Sequence, residues 1–139
     1  MNVKSAALRV VYHADRHSVE MDSRVNALMY LVTESTEVDC SFEKQERATS
    51  INLQSSEVEE ALSELESHRL IETKVESTIG GDERTTYLLT DKGVSKAELL
   101  IGDSDIEDTI ESVVSEYGDY PISNLLNDIK NSEPAHEWL

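Results

Sequence analysis

The chain has little of what stabilises a small secreted protein or holds a protein in a membrane. Its 139 residues include one cysteine, Cys40, so no internal disulfide can form, and a reducing compartment is favoured. No signal peptide opens the sequence, and no apolar run approaches the roughly 18–20 residues that span a bilayer. We therefore expect a soluble cytoplasmic protein with one domain over residues 1–139.

Aromatic and cationic residues are also scarce. Aromatic residues make up 5% of the chain, so the core is expected to be aliphatic. There are 12 Lys and Arg residues against 29 Asp and Glu residues, which gives a formal net charge of -17. Such a charge repels itself at low salt, whereas molar salt shortens the Debye length to about 3 Å. The dispersed acidity predicts a protein of a halophile, and an ordinary acidic bacterial protein is the alternative.

The sequence lacks the motifs of catalysis and of metal binding. It has no Gly-x-Ser-x-Gly elbow, no phosphate-binding glycine loop and no Cys/His signature, so we predict neither an enzyme nor a cofactor. His13 and His17 have the spacing of a zinc-binding pair on a continuous helix. That stretch has the character of a helix end, however, and no third ligand stands at a fixed spacing, so no metal is predicted.

What the sequence does contain is a succession of amphipathic helices. Apolar residues at helical spacing predict three of them before residue 70. The third begins with a capping box of Ser56 and Glu59. Between the second and third helices the pattern is weak, with a short strand over 38–42 and a short helix or loop over 43–51. The three buried stripes are Ala7, Val10, Val11 and Ala14; Val25, Leu28, Met29 and Val32; and Val58, Ala61, Leu62 and Leu65.

A β-hairpin is predicted directly after the third helix. Leu70 and Ile71 enter a strand, and Gly80 and Gly81 accept the positive φ angles of a tight turn. Residues 84–90 then return as the second strand, with Thr85, Tyr87 and Leu89 on one face.

Further helices are predicted after the hairpin. Thr90 or Asp91 caps one that Gly102 ends, and Ser104 with Glu107 forms a capping box for the next. We expect residues 132–139 to form a loose tail. The apolar stripes of the last two helices are Ile106, Ile110, Val113, Val114 and Tyr117, and Ile122, Leu125, Leu126 and Ile129.

The segment "ALSELESHRLIETKVE", followed by "TTYLLTDKG", resembles the winged-helix transcription regulators of the MarR and PadR families. The closing Leu-Thr-Asp-Lys-Gly matches, whereas His68 and Arg69 stand where those families have glycine. The resemblance implies a mainly α fold with a small β-hairpin wing. Its winged helix-turn-helix core would cover about 5–93 and its C-terminal helices about 94–131. It also implies a regulator that binds double-stranded DNA as a homodimer. We expect this dimer to be built partly on residues 104–130, because the two stripes there offer more apolar surface than a small three-helix core needs.

This interpretation assigns DNA-binding roles to the third helix and the hairpin. Gln54, Ser55, Ser56 and Ser63 would face the major groove, where Gln and Ser can bond base edges. Arg69, Lys74 and Arg84 would contact phosphates.

Glutamates on the same helix argue against DNA. Glu57, Glu60 and Glu64 share its outward face, and the ordinary interpretation is a solvated surface. Near-molar salt relaxes the demand for a basic patch, because the gain from counterion release is small there, and cations could bridge carboxylates to phosphates.

A second resemblance covers more of the chain. The segments "LRVVYHADRHSVEMDSRVNALMYLV" and "VVSEYGDYPISNLLNDI" are similar to uncharacterised phage-associated proteins near the Panacea antitoxins. This implies a protein-interaction module whose acidic helix faces a basic partner. The two interpretations differ in the placement of Lys74, Arg84 and Arg69. If these cations converge beside the helix, DNA is favoured, and if they are scattered among carboxylates, a protein partner is favoured.

Overall fold

The computed structural model describes residues 3–20, 22–36, 38, 40–46, 51–77, 79–81, 83–100 and 105–132. These residues are mainly helical, with a small antiparallel β component. The helices are α1 (Val3–His13), α2 (Asp22–Ser35), α3 (Ser56–Ser67), α4 (Asp91–Leu100), α5 (Asp105–Tyr117) and α6 (Ile122–Ser132). The strands are β1 (Ser18–Glu20), β2 (Glu43–Glu46), β3 (Ile51–Gln54), β4 (Ile71–Ser77) and β5 (Glu83–Leu89).

Helix α1 lies at the centre of the core and packs against α3, α4 and α5. The stripes predicted for the first three helices are buried, except that Ala14 is only partly covered. Leu62 and Leu65 of α3 join the same core cluster as Val10 of α1. The helical spacing of apolar residues therefore predicted the main core correctly, because the apolar stripe of an amphipathic helix packs toward the core.

The strands form two separate antiparallel sheets. In the larger sheet β5 lies between β1 and β4, and Tyr87 of β5 pairs with both Val19 and Thr73. This row faces the core. Successive side chains of a strand alternate between faces, so Lys74 lies on the opposite, outer face. The β4–β5 hairpin turns at the predicted glycines. Gly81 has the predicted positive φ, at +86°, whereas Gly80 does not.

The region between α2 and α3 differs from its prediction. The described residues of 38–42 form no strand. The helix or loop predicted over 43–51 is wrong at 43–46 and at 51, because β2 and β3 pair as a hairpin over Glu43–Glu46 and Ile51–Gln54. Residues 47–50 lie outside the described part. The hairpin is held by its own pairing and by Leu53, which is buried in a cluster with Tyr30 and Leu125. Strand β1 was also missed, because its three residues gain their partners from β5.

The caps of α3 and α4 are settled by hydrogen bonds. The capping box on Ser56 is wrong by one position, since Ser55 is the N-cap and its hydroxyl accepts from the Val58 amide at 3.3 Å. Of the two candidates for α4, Thr90 is the cap, and its hydroxyl accepts from the Gly93 amide at 3.0 Å. Gly102 and Ser104, which were predicted to end and begin helices, lie outside the described residues.

The C-terminal helices pack on the rest of the chain. Helix α5 contacts α1 and α2, while α6 contacts α2 and β3. Ile110 and Val114 of α5, like Leu125 and Ile129 of α6, are buried. Within the described residues, none of the helices combines the length and apolar character needed to cross a bilayer. Of the tail predicted over 132–139, Ser132 belongs instead to α6, and residues 133–139 lie outside the described part.

Candidate functional site

The exposed face of α3 is acidic. The helix buries its aliphatic stripe against α1, and the opposite side carries Glu57, Glu59, Glu60, Glu64 and Glu66, all exposed. Glu57 and Glu59 lie in the first turn, where negative charge is favourable because the free backbone amides carry partial positive charge. The local helix chemistry explains two of these carboxylates, and the other three lie beyond the first turn.

Three of the carboxylates have a hydrogen-bond or ion-pair partner. Glu57 Oε1 accepts from the Ser41 amide at 3.0 Å. Glu64 lies 3.3 Å from Lys4 Nζ in an exposed ion pair. Glu66 Oε2 accepts from the Thr73 hydroxyl at 3.0 Å. The side chains of Glu59 and Glu60 make no hydrogen bond or ion pair with the described residues, so their charge is available to a partner.

The predicted base-reading residues do not all lie on this face. Ser55 is only 3% exposed, and its hydroxyl is occupied by the Val58 amide and by Cys40 Sγ at 3.4 Å. The predicted contact of Ser55 with DNA is therefore wrong, because its role as the N-cap of α3 turns its side chain inward. Gln54, Ser56 and Ser63 are exposed, and Ser63 lies among the glutamates.

The predicted phosphate-binding cations do not converge beside α3. Thr73 turns toward α3, as its bond to Glu66 shows, so its neighbour Lys74 lies on the outer face of the hairpin. Arg84 lies on that same face, opposite Glu76 in the strand register and 3.8 Å from Glu20 of β1. The outer face of the sheet therefore alternates cations with carboxylates.

Arg69 lies apart from both, at the C-terminus of α3. The φ angle of Arg69 is +62°. The Arg69 amide donates to Glu66 O at 2.9 Å, and the Leu70 amide donates to Leu65 O at 2.9 Å. This is the Schellman arrangement, in which glycine is usual at the position of Arg69. The Thr90 hydroxyl also donates to Arg69 O at 2.6 Å. The departure from glycine noted in the sequence thus keeps the turn and places an arginine in a left-handed conformation.

Two exposed apolar residues of the β4–β5 hairpin were given no functional role from the sequence. Val75 is 58% exposed, and Ile79 at the turn is fully exposed. Val75 follows Ile71 and Thr73 on the face that turns toward the core, and the alternation in sequence marks all three as inward. Because the hairpin extends past the end of the core, Val75 has no core residue to pack against and is exposed to solvent, although it lies on the inward face. No sequence signal reports where the core stops.

A buried charge cluster lies between α1 and α5. Glu107 is 5% exposed, with Oε2 3.2 Å from Arg9 Nη1 and Oε1 3.0 Å from His13 Nε2. Arg9 also donates from Nη2 to Leu100 O at 2.8 Å. An ionised carboxylate only accepts hydrogen bonds, so His13 donates from Nε2. This cluster joins the first helix to the C-terminal helices.

The two histidines of the predicted helix end have different partners. His17 Nδ1 lies 2.6 Å from Tyr12 O, and its ring stacks on that of Tyr12, whereas His13 bonds to Glu107 and lines a cleft of about 800 Å³ with Arg16 and Asp119. Among the residues described, no three His, Cys, Asp or Glu side chains are grouped as a metal ion would need.

Comparison with known proteins gives no match. No family model matches the chain, no curated protein matches it, and no solved structure matches its fold.

Proposed function

We propose that the chain is a protein-interaction module, in which the exposed face of α3 binds a basic segment of a partner protein. The observation that carries the proposal is the charge of that face. It presents five carboxylates on a single short helix, and Lys4 is the one cation paired with them among the described residues. Exposed ion pairs are weak and screened, so Lys4 leaves most of the negative field in place. A basic partner is attracted to such a surface, and phosphate is repelled.

The way in which the carboxylates are held supports the same function. The bonds of Glu57 to Ser41 and of Glu66 to Thr73 tie the two flanks of α3 to neighbouring segments. A surface held in place before binding loses less side-chain entropy when a partner docks. We therefore regard the face as prepared for binding and more than a solvated helix side.

DNA binding by a winged-helix regulator is the second candidate, and chain topology favours it. Helix α3 is followed at once by the β4–β5 hairpin, and β1, between α1 and α2, completes the sheet in the order β1-β5-β4. This succession agrees with the winged-helix order that the sequence resembles.

Two features weigh against DNA. A helix-turn-helix joins its helices by a turn of about three or four residues, whereas the β2–β3 hairpin separates α2 from α3. Lys74 and Arg84 also lie on the sheet face that turns away from α3.

The burial of the C-terminal helices bears on the assembly state that we propose. A homodimer was expected because the stripes of α5 and α6 offered more apolar surface than a small core needs. Five of the nine stripe residues are already buried within one chain and the other four are partly covered, so less apolar surface is left for a second copy than the sequence suggested. We propose a monomer in the absence of its partner, working in the reducing, salt-rich cytoplasm that the single cysteine and the charge of -17 favour.

Parallel recovery of protein and DNA from the native host tests this proposal. The tagged chain is cross-linked in cells, and bound proteins and bound DNA are identified from the same sample. A variant carrying Glu59→Gln and Glu60→Gln is compared with Glu111→Gln, which removes an exposed carboxylate of α5. We expect a basic protein that is recovered with wild type and with Glu111→Gln but lost with the α3 variant. Discrete DNA loci recovered without such a protein would overturn the proposal in favour of the regulator.

A further inference from the structure

We infer that the partner segment is amphipathic, and that its apolar side packs on the β4–β5 hairpin where the hairpin adjoins α3. This inference rests on the proposed function and adds the chemical class of the partner. The surface concerned is here called the α3–hairpin angle. It consists of one flank of α3 and the α3-facing side of the hairpin with its turn, and its residues are Glu59, Ser63, Glu66, Thr73, Val75 and Ile79.

The geometry of α3 brings its acidic flank to this angle. Glu59, Ser63 and Glu66 follow one another at spacings of four and three, so they lie along one side of the helix. The bond between Glu66 Oε2 and the Thr73 hydroxyl, at 3.0 Å, places that side against the hairpin. Glu66, at the C-terminal end of this flank, therefore adjoins the α3-facing side of β4.

The hairpin supplies the apolar part of the angle. Val75 lies on the same face of β4 as Thr73 and pairs with Thr85 of β5, and Ile79 stands in the turn beyond it. Large apolar side chains with high exposure number four among the described residues, and two of them are on this hairpin; the others are Leu99 of α4 and Tyr120 after α5. Exposed apolar side chains that are grouped and rimmed by polar residues mark interaction sites in soluble proteins, and half of those in the described residues lie on this one hairpin.

Charge complementarity identifies the occupant as a basic amphipathic segment. Its lysines or arginines would meet Glu59 and Glu66, and its aliphatic residues would cover Val75 and Ile79. A helix with apolar residues at three- and four-residue spacing presents both sides at once. Duplex DNA would bring phosphates to the carboxylates, and a second copy of this chain would bring a further charge of -17, so both are disfavoured.

The test uses the full-length chain and labelled synthetic peptides of lysine and leucine. One peptide has all its leucines on one helical face, and the other has the same composition in scrambled order. Dissociation constants are measured by fluorescence anisotropy at one high ionic strength for wild type, Val75→Thr, Ile79→Ser and the control Leu99→Ser. These side chains are exposed, and circular dichroism confirms that each variant is folded. We expect tighter binding of the amphipathic peptide, roughly tenfold weaker binding by Ile79→Ser, and no change with Leu99→Ser.

The alternative outcomes separate the inference from the proposed function. Equal binding of the two peptides, or wild-type affinity for both hairpin variants, overturns the inference. If Glu60→Gln still weakens peptide binding in that case, the acidic face alone binds the partner and the proposed function stands. Absence of peptide binding together with saturable duplex DNA binding, weakened by Ile79→Ser, overturns both. Self-association that Ile79→Ser abolishes overturns the inference, because the occupant is then a second copy.

Discussion

Glu107 holds Arg9 across the contact between α1 and α5, with 3.2 Å between Oε2 and Nη1 and with both side chains more than nine-tenths buried. Each charge is stable in the interior because the other compensates it. Such a pair adds little compared with an apolar pair of the same shape, but the loss of one partner leaves a buried charge uncompensated. The contact therefore fixes how the C-terminal helices sit on α1.

Glu107→Ala is predicted to lower the free energy of unfolding by about 3–5 kcal/mol, because Arg9 is then buried without its carboxylate. Its neighbour Asp108 is exposed, and Asp108→Ala is expected to change stability by about half a kcal/mol or less. Urea denaturation at constant high salt measures both. Equal losses for the two variants would show that the buried pair has no special role.

Leu62→Ala and Leu65→Ala are each predicted to cost about 2–5 kcal/mol, because each leaves a cavity between α3 and α1. Both leucines are buried, whereas Ser63 between them is exposed. Ser63→Ala, measured by the same denaturation, should change stability little. A loss below about half a kcal/mol for either leucine would mean that this face of α3 is not packed.

Arg69→Gly is predicted to stabilise the chain. A residue with a Cβ is destabilised by about 1–2 kcal/mol in a left-handed conformation, and glycine removes this strain. The greater conformational freedom of glycine in the unfolded chain offsets about 0.4–1 kcal/mol of that gain. Arg69→Ala keeps the Cβ and should leave stability nearly unchanged. If Arg69→Ala raises the melting temperature as much as Arg69→Gly does, the stabilisation comes from removal of the arginine charge and not from relief of the backbone conformation.

The fold is predicted to weaken as salt is lowered from molar to about 0.1 M, because the repulsion among its charges then reaches about 10 Å. The formal charge of -17 is spread over the chain, so screening affects all of it together. Thermal melts are recorded in potassium chloride and in sucrose of matched viscosity. Sucrose stabilises a fold by being excluded from the protein surface but does not screen charge, so a stabilisation that only the salt gives is due to ionic screening. Equal midpoints at the two salt concentrations would remove the halophilic interpretation.

Local patterns were predicted from the sequence, and long-range placements were not. The stripe of α3 follows from helical spacing alone, and the turn at Gly81 follows from its missing Cβ. The strands β1, β2 and β3 were missed because each is short and depends on a partner strand for its hydrogen bonds. The N-cap of α3 was misplaced by one residue because Ser55 and Ser56 are both suitable caps, and burial decides between them.

The candidate site shows the same division. That Glu57, Glu60 and Glu64 share an outward face could be predicted from their spacing. That Arg84 lies 3.8 Å from Glu20 could not, because the pairing of β1 with β5 brings them together. The exposure of Val75 likewise depends on where the core ends. Charge and period are local properties, whereas convergence of side chains depends on topology.

The most direct test of the central claim is the effect of Glu60→Gln on binding to two probes, the basic amphipathic peptide and duplex DNA from the host. Both are titrated by fluorescence anisotropy at two salt concentrations at which the chain is folded, with Glu111→Gln as the matched control. Glu60 is exposed and makes no ion pair with the described residues, so its loss removes charge from the α3 face and leaves the core intact. We predict that wild type binds the peptide, that Glu60→Gln weakens this binding most at the lower salt, and that neither protein selects a DNA sequence. Sequence-selective DNA binding at molar salt that Glu60→Gln weakens, with no binding of the peptide, would contradict the account.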